Sequence, residues 1–377
     1  MQRQQQQQQQ RQLRRKRWAL LIGVLLAVVL LIVVVNALRR LGKPTQASAT
    51  RLPCLAGQQV TPFGEDVVYY DGASIFCVTT SGAPRWSYQI GANASFAVSE
   101  SSVVAWAGGQ LCILDQNGHS SYDDNLRQPV QLASIGKKYA AAIIGDDTEP
   151  TLLIRDMNGV PVDEETEAFS GRMMLAVGFY GSDGQYIWTL SLDALGTAAN
   201  YVLNTFEVGQ MNTGVISLGE PLAYRVLYDN EKLRVVTSRQ LRSFDYRGKE
   251  AATGAILVYG WRLIASETPE RGDTMMILAP EAQTGSQYSI RDVRLLSGTT
   301  DRRYTLPSAC VGATLYQKTM YAFSSDYIYR TDMSTQRFAA LNRPQNMEGP
   351  MTDFLGITKN GKALVASGDT VYAVDMP

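Results

Sequence analysis

"DVVYYDGASIFCVTTSGAPRWSYQI", Asp66–Ile90, is the stretch on which the reading of the fold turns. Three short runs rich in β-branched and aromatic residues are separated by Asp71-Gly72 and Ser81-Gly82. Runs of this length and composition, bounded by such turn pairs, read as strands joined by tight turns. Both faces of the resulting sheet are apolar, as "DVVYYDG" shows. A single sheet of that kind cannot bury itself, so the stretch makes physical sense only as one copy among several.

The same order of strand, Gly turn, strand recurs along the chain. It appears in "SSVVAWAGGQLCILDQNG" (101–118), "YAAAIIGDDTEPTLLIRDMNG" (139–159), "LAYRVLYDNEKLRVVTSRQLRSFDYRG" (222–248) and "TMYAFSSDYIYRTDMSTQRFAAL" (319–341), and ends with "KALVASGDTVYAVDM" (362–376). Weaker copies lie in "QYIWTLSLDALG" and "WRLIASETPERGDTMMILAP". Comparable strands, taken as the inner ones, begin near residues 74, 111, 152, 201, 241, 275, 327 and 371, at a mean spacing of about 42, the period of four-stranded propeller blades. The expected fold is therefore all-β, a propeller of about eight four-stranded blades with seven as the alternative. Stacking blades around an axis covers each apolar face with its neighbour. The last copy stops after three strands, and the segment around Arg51–Leu55 is placed to supply the fourth and close the ring.

Composition sets limits on function. The chain has 377 residues, with 35 basic and 35 acidic side chains, and 45% of it is apolar. Zero formal charge argues against a nucleic-acid partner, which asks for a basic excess. One histidine, His119, leaves little of the usual general base and metal ligand.

The N-terminus supplies an address. Residues 1–17 are a glutamine tract with a basic cluster and read as a disordered cytoplasmic tail. Residues 18–38 are apolar except for Asn36, and at about 1.5 Å per residue they match the roughly 30 Å hydrocarbon layer of a bilayer. The run is longer than a signal-peptide core, and the following "RRLGK" is a poor cleavage context. Arg3, Arg11, Arg14, Arg15, Lys16 and Arg17 precede the span, against Arg39, Arg40 and Lys43 after it, which keeps the N-terminus cytoplasmic. Arg14–Arg17 can also meet anionic lipid. Residues 39–51 read as a tether, and 52–377 as an extracytoplasmic propeller.

"YYDGASIFCVTTSGAPRWSYQIG", with "LCILDQNG", "LLIRDMNG" and "VYAVDM", resembles the blades of pyrroloquinoline-quinone-type propellers. The chain from about residue 55 onward resembles a bacterial family of membrane-anchored propellers without an assigned activity. The resemblance implies a fold rather than an activity. The quinone enzymes carry a vicinal cysteine pair and a calcium site, and this sequence has neither adjacent cysteines nor such a cluster. No cofactor, metal or catalytic residue is carried over.

Four cysteines, Cys54, Cys77, Cys112 and Cys310, permit disulfides in an exported domain. Cys77 and Cys112 hold near-equivalent places on successive blades, and Cys54 in the sealing segment is a conceivable mate for Cys310. The other reading is four small buried hydrophobes. His119 reads as a solvated turn residue, Asp123-Asp124 and Asp146-Asp147 as loop acids, Arg271-Gly272-Asp273 as a coincidental tripeptide, and Asn93-Ala94-Ser95 as a glycosylation triplet without its machinery. Trp86, Trp106, Trp188 and Trp261, with Tyr69, Tyr70, Tyr88 and Tyr186, read as packing between blades, or in part as a sugar- or peptide-binding rim. The expected function is a non-enzymatic, membrane-anchored module that binds or scaffolds an envelope protein or polymer. The alternatives are an extracytoplasmic enzyme acting on a sugar or quinone-type substrate, and a ligand sensor.

Overall fold

A computed structural model describes residues 47–181, 184–210, 214–229, 232–252, 254–269, 273–284 and 289–376. The tail 1–17 with Arg14, Arg15, Lys16 and Arg17, the apolar span 18–38 and most of the tether lie outside the described residues. Among the described residues no helix is long and apolar enough to cross a membrane.

Among the described residues seven antiparallel sheets follow one another. Sheets I to V occupy residues 59–89, 95–125, 130–165, 173–219 and 223–257, each with four strands in sequence order. Sheet VI, residues 261–342, has seven strands. Sheet VII joins Asp353–Ile357, Lys362–Ser367 and Thr370–Asp375 to the N-terminal strand Ala49–Leu55. That closing strand pairs Ala49 with Val374 and Arg51 with Tyr372. Pairing therefore starts at Ala49, inside the segment read as tether, because Ala47 and Ala49 are apolar enough to join the core.

The long strand Thr300–Tyr316 explains the odd sheet. Its first part pairs with Ile290–Ser297, its last part pairs with Thr319–Ser324, and Cys310 aligns with both Ile290 and Ser324. One strand thus ends one four-stranded unit and begins the next. Counted as sheets there are seven, and counted as four-stranded units there are eight.

Apolar clusters fill the seams between successive sheets. Val68 meets Val103 between I and II, Val104 meets Ala142 between II and III, and Ile143 meets Ile187 between III and IV. Leu203 and Leu233 join IV to V, while Val236 and Leu278 join V to VI. Ile277 and Met320 bind the two halves of VI, Phe323 and Val365 join VI to VII, and Ala373 and Val67 join VII back to I. The last seam returns to the first sheet, so the sequence of contacts is a closed ring. Each fully buried aliphatic or aromatic side chain contributes on the order of 1.5–3 kcal/mol, and a closed ring leaves no sheet face uncovered.

The first strand of each sheet lies innermost. Gln59 donates to the Phe96 carbonyl at 2.8 Å, and the Leu263 N–H donates to the Tyr224 hydroxyl at 3.0 Å, each bond joining two neighbouring first strands. The strands read from sequence as inner ones are instead the third of their four-stranded units, except that the one at Met275–Pro280 is the second of its unit. Second and third strands are the most buried, with apolar residues on both faces, whereas first strands mix small, polar and apolar residues around the axis. Burial rather than radial position had made the third strands conspicuous.

Candidate functional site

Because neighbours in each sheet are antiparallel, the hairpins between strands one and two and between three and four lie at one end. The remaining hairpins and the connections between sheets lie at the other. Like ends meet around the ring: Lys359 N–H donates to Gly64 O at 2.7 Å at the first end, and Val130 N–H donates to Gly108 O at 2.7 Å at the second.

The first end is occupied by self-packing. Asp115, Asp156 and Asp245 each open a turn in which one carboxylate oxygen accepts backbone N–H groups two and four residues on. At three hairpins of this end a strand that ends the preceding four-stranded unit caps the turn. Trp86 Nε1 donates to Gln116 O at 3.0 Å, Ser121 Oγ to Met157 O at 2.6 Å, and Tyr304 to Met333 O at 2.8 Å. Gly118 and Gly159 hold φ near +80°, and a Cβ there would lie 2.5 Å from Trp86 and 1.9 Å from Tyr122. Glycine is required twice over, by backbone and by space. The "DQNG" and "DMNG" signatures are the sequence trace of this device.

The second end differs. Leu195 is 81% exposed, Leu222 50%, Leu257 69% and Tyr259 73%, all in hairpins, connections or the short last strand of sheets IV to VI, against the smaller Val160 and Val215 at the first end. Beside Leu222 and Tyr259 the inner strands of sheets V and VI border a cleft of about 290 Å³ lined by Tyr224, Arg225, Arg262, Leu263, Ile264, Ala265 and Ser266. Both strands carry a one-residue register shift, at Tyr224 and at Ile264. Such bulges release backbone groups from the ladder and re-aim side chains, and they gather near binding sites. Burial pushes the Tyr224 phenol up, while the Leu263 N–H and the Arg262 guanidinium pull it back and Glu281 adds to the rise. Arg225 and Arg262 are exposed and form no ion pair among the described residues.

The residues singled out in the sequence fall elsewhere. Cys54 lies in the seam between VII and I, Cys77 and Cys112 share the seam between I and II, and Cys310 lies where sheet VI divides. All four are buried free thiols. Burial pushes Cys54 up to about 11 and Cys77, Cys112 and Cys310 to about 12. His119 is an exposed turn residue whose Nδ1 lies 3.3 Å from Asp115. Asp123 and Asp124 are not in a loop but in the outer strand Ser120–Asn125, where Asp123 accepts from Tyr88 at 2.6 Å and from Gln110 at 2.9 Å. An outer strand tolerates acids because it faces solvent. Asp146 accepts from Thr148 and Glu149 within its own turn. Arg271 and Gly272 lie outside the described residues. Trp106 and Trp188 pack in seams, and Tyr186 stacks on Tyr180 at 5.1 Å. Among the described residues no three His, Cys, Asp or Glu side chains converge on one point.

Sequence reading had not singled out Arg225, Arg262, Leu257 or Tyr259. The available signal was an apolar or aromatic residue immediately before an inner strand, at "PLAYR" and "LVYGWR", where a turn would ordinarily be polar.

No protein-family model and no curated protein matches the chain. Among solved structures it is similar to BamB from Moraxella catarrhalis, with a TM-score of 0.54, 14% identity, and coverage of 88% of this chain and 97% of that one. It is also similar to Sqt1 from Saccharomyces cerevisiae, with a TM-score of 0.54, 9% identity, and coverage of 87% and 99%. These likenesses concern the fold alone, and the fold is a β-propeller.

Proposed function

We propose that the chain is a membrane-anchored propeller of eight blades that binds or scaffolds a protein of the cell envelope. Residues 18–38 anchor it, residues 1–17 stay in the cytoplasm, and the propeller stands outside. One observation carries the reading. The second end of the ring exposes Leu195, Leu222, Leu257 and Tyr259 on neighbouring sheets, whereas the first end spends its aromatic side chains on the seams. Exposed apolar groups gathered on one face, with arginine and tyrosine among them, have the composition of a recognition surface. An envelope polymer fits less well, because aliphatic side chains offer little to a polar chain. The likeness to BamB supports the propeller and leaves the partner open.

The test is co-purification of the tagged full chain from crosslinked native membranes, beside a Leu257→Asp/Tyr259→Asp variant. The reading expects one or a few envelope proteins retained by the parent and lost by the variant. Retention of nothing, or the same set by both, would remove its basis. Protease accessibility in intact and opened cells tests the orientation separately.

A further inference from the structure

Resting on that reading, we infer that the cleft between the inner strands of sheets V and VI takes an acidic peptide segment of the partner, with Arg225 and Arg262 as its carboxylate receptors and Leu222, Leu257 and Tyr259 as an apolar rim. Arg225 and Arg262 line one cleft of about 290 Å³ from adjacent inner strands. Neither meets a carboxylate among the described residues, although Arg234, Arg242, Arg294 and Arg343 each find one. In a chain with equal numbers of acids and bases, two neighbouring guanidinium groups left open to solvent are complementary to negative charge.

The planar guanidinium offers paired N–H donors that match a carboxylate bidentately. Tyr224 adds a hydroxyl whose oxygen already accepts from the Leu263 N–H, which leaves its own proton free to be donated outward. The bulge at Ile264 places further backbone groups beside the same cleft. Glu281 is the acid whose field reaches Tyr224, and it sits in a short helical turn beyond the cleft lining.

The surroundings point to a peptide. Leu222 precedes Arg225 by three residues and Tyr259 precedes Arg262 by three, so at about 3.3 Å per residue these two rim side chains start within roughly 10 Å along the chain of the arginines, with Leu257 two residues further out. A phosphate or uronic-acid polymer would use the arginines and leave the leucines and tyrosine exposed. An acidic segment with an apolar side chain beside its carboxylate uses both.

The experiment pans the full chain in detergent against a library of short peptides carrying Asp or Glu among Leu, Phe and Tyr. The control library has Asn and Gln at the acidic positions. The expected result is at least about tenfold enrichment of acidic peptides, equivalent to roughly 1.4 kcal/mol, weakening as salt rises from about 0.05 to about 0.5 M. Enrichment is lost in R225A/R262A and falls in L257S/Y259S, while both variants keep the parent's thermal transition. A charge-retaining R225K/R262K pair keeps part of the binding. Equal enrichment of both libraries, undiminished binding by folded R225A/R262A, or displacement by polyphosphate with no peptide selected would overturn the assignment. Envelope proteins co-purifying equally with the parent and with R225A/R262A would leave the binding-module reading standing and remove this one.

Discussion

The strand Ala49–Leu55 contains its own experiment in ring closure. Leu52 is 2% exposed and packs in the seam between sheets VII and I with Val67, Val371 and Ala373, whereas Leu55, three residues on, is 52% exposed. Truncating a buried leucine to alanine removes its transfer free energy and leaves a cavity, together about 2–5 kcal/mol. The same change at an exposed site costs within about 0.5 kcal/mol. If this strand closes the ring, Leu52→Ala lowers the urea midpoint of the full chain far more than Leu55→Ala, with a difference of at least about 2 kcal/mol. The assay is equilibrium unfolding followed by tryptophan fluorescence, with both variants in one detergent. Trp86 and Trp106 flank the neighbouring seams and report the change. Equal and small effects at the two positions would show that the strand contributes nothing to the seam.

Three further outcomes follow from other seams. Asp229 is buried, accepts from Arg234 Nε at 2.6 Å and from the Thr274 N–H at 3.1 Å, and ties sheet V to sheet VI. Asp229→Ala strands both donors and costs about 3–5 kcal/mol at neutral pH, read by thermal melting. Burial raises its carboxyl, but the bonds from Arg234 and Thr274 outweigh burial and hold it below the ordinary value. A depressed folded pKa gives stability that is present above the unfolded value of about 3.9 and lost as pH falls through the folded one. Asp229→Asn therefore flattens the acid limb of the stability profile, and an unchanged limb would exclude the pair as its source. Gly118→Ala drives a Cβ into the Trp86 ring and costs about 1–3 kcal/mol. Adding Trp86→Ala relieves the clash, so the two are non-additive in a double-mutant cycle, and strict additivity counts against the docking geometry. With thiols pushed to about 11 or 12, the native chain at pH 8 stays inert to a thiol reagent, and guanidinium releases four reactive thiols. Fast native labelling, or fewer than four after unfolding, contradicts that burial.

The repeat was legible because its physics is local. Asp-x-Asn-Gly turns, alternating β-branched runs and a missing last strand each leave a mark in adjacent residues, and together they give the propeller and the closing segment near Arg51–Leu55. The radial order of strands was not legible, since the second and third strands are both buried and apolar and resemble a core. Nor was the shared strand Thr300–Tyr316, which no turn interrupts between the two units it serves. The Thr274 N–H donates to Asp229, itself ion-paired with Arg234, and so joins two sheets, and the cleft at Arg225 and Arg262 joins two inner strands thirty-seven residues apart. Spacing within one strand cannot announce such meetings. Leu257 and Tyr259 fall outside the repeats read in the sequence, and they are exposed because the last strand of sheet V is only Ile256–Leu257.

The most direct measurement of the central claim is photo-crosslinking in native membranes, with a photoreactive residue placed either at Tyr259 on the second end or at Asn117 on the first. A binding module that uses its second end gives a discrete protein adduct from position 259 and none from position 117. Adducts of equal strength from both positions, or none from 259, would contradict it.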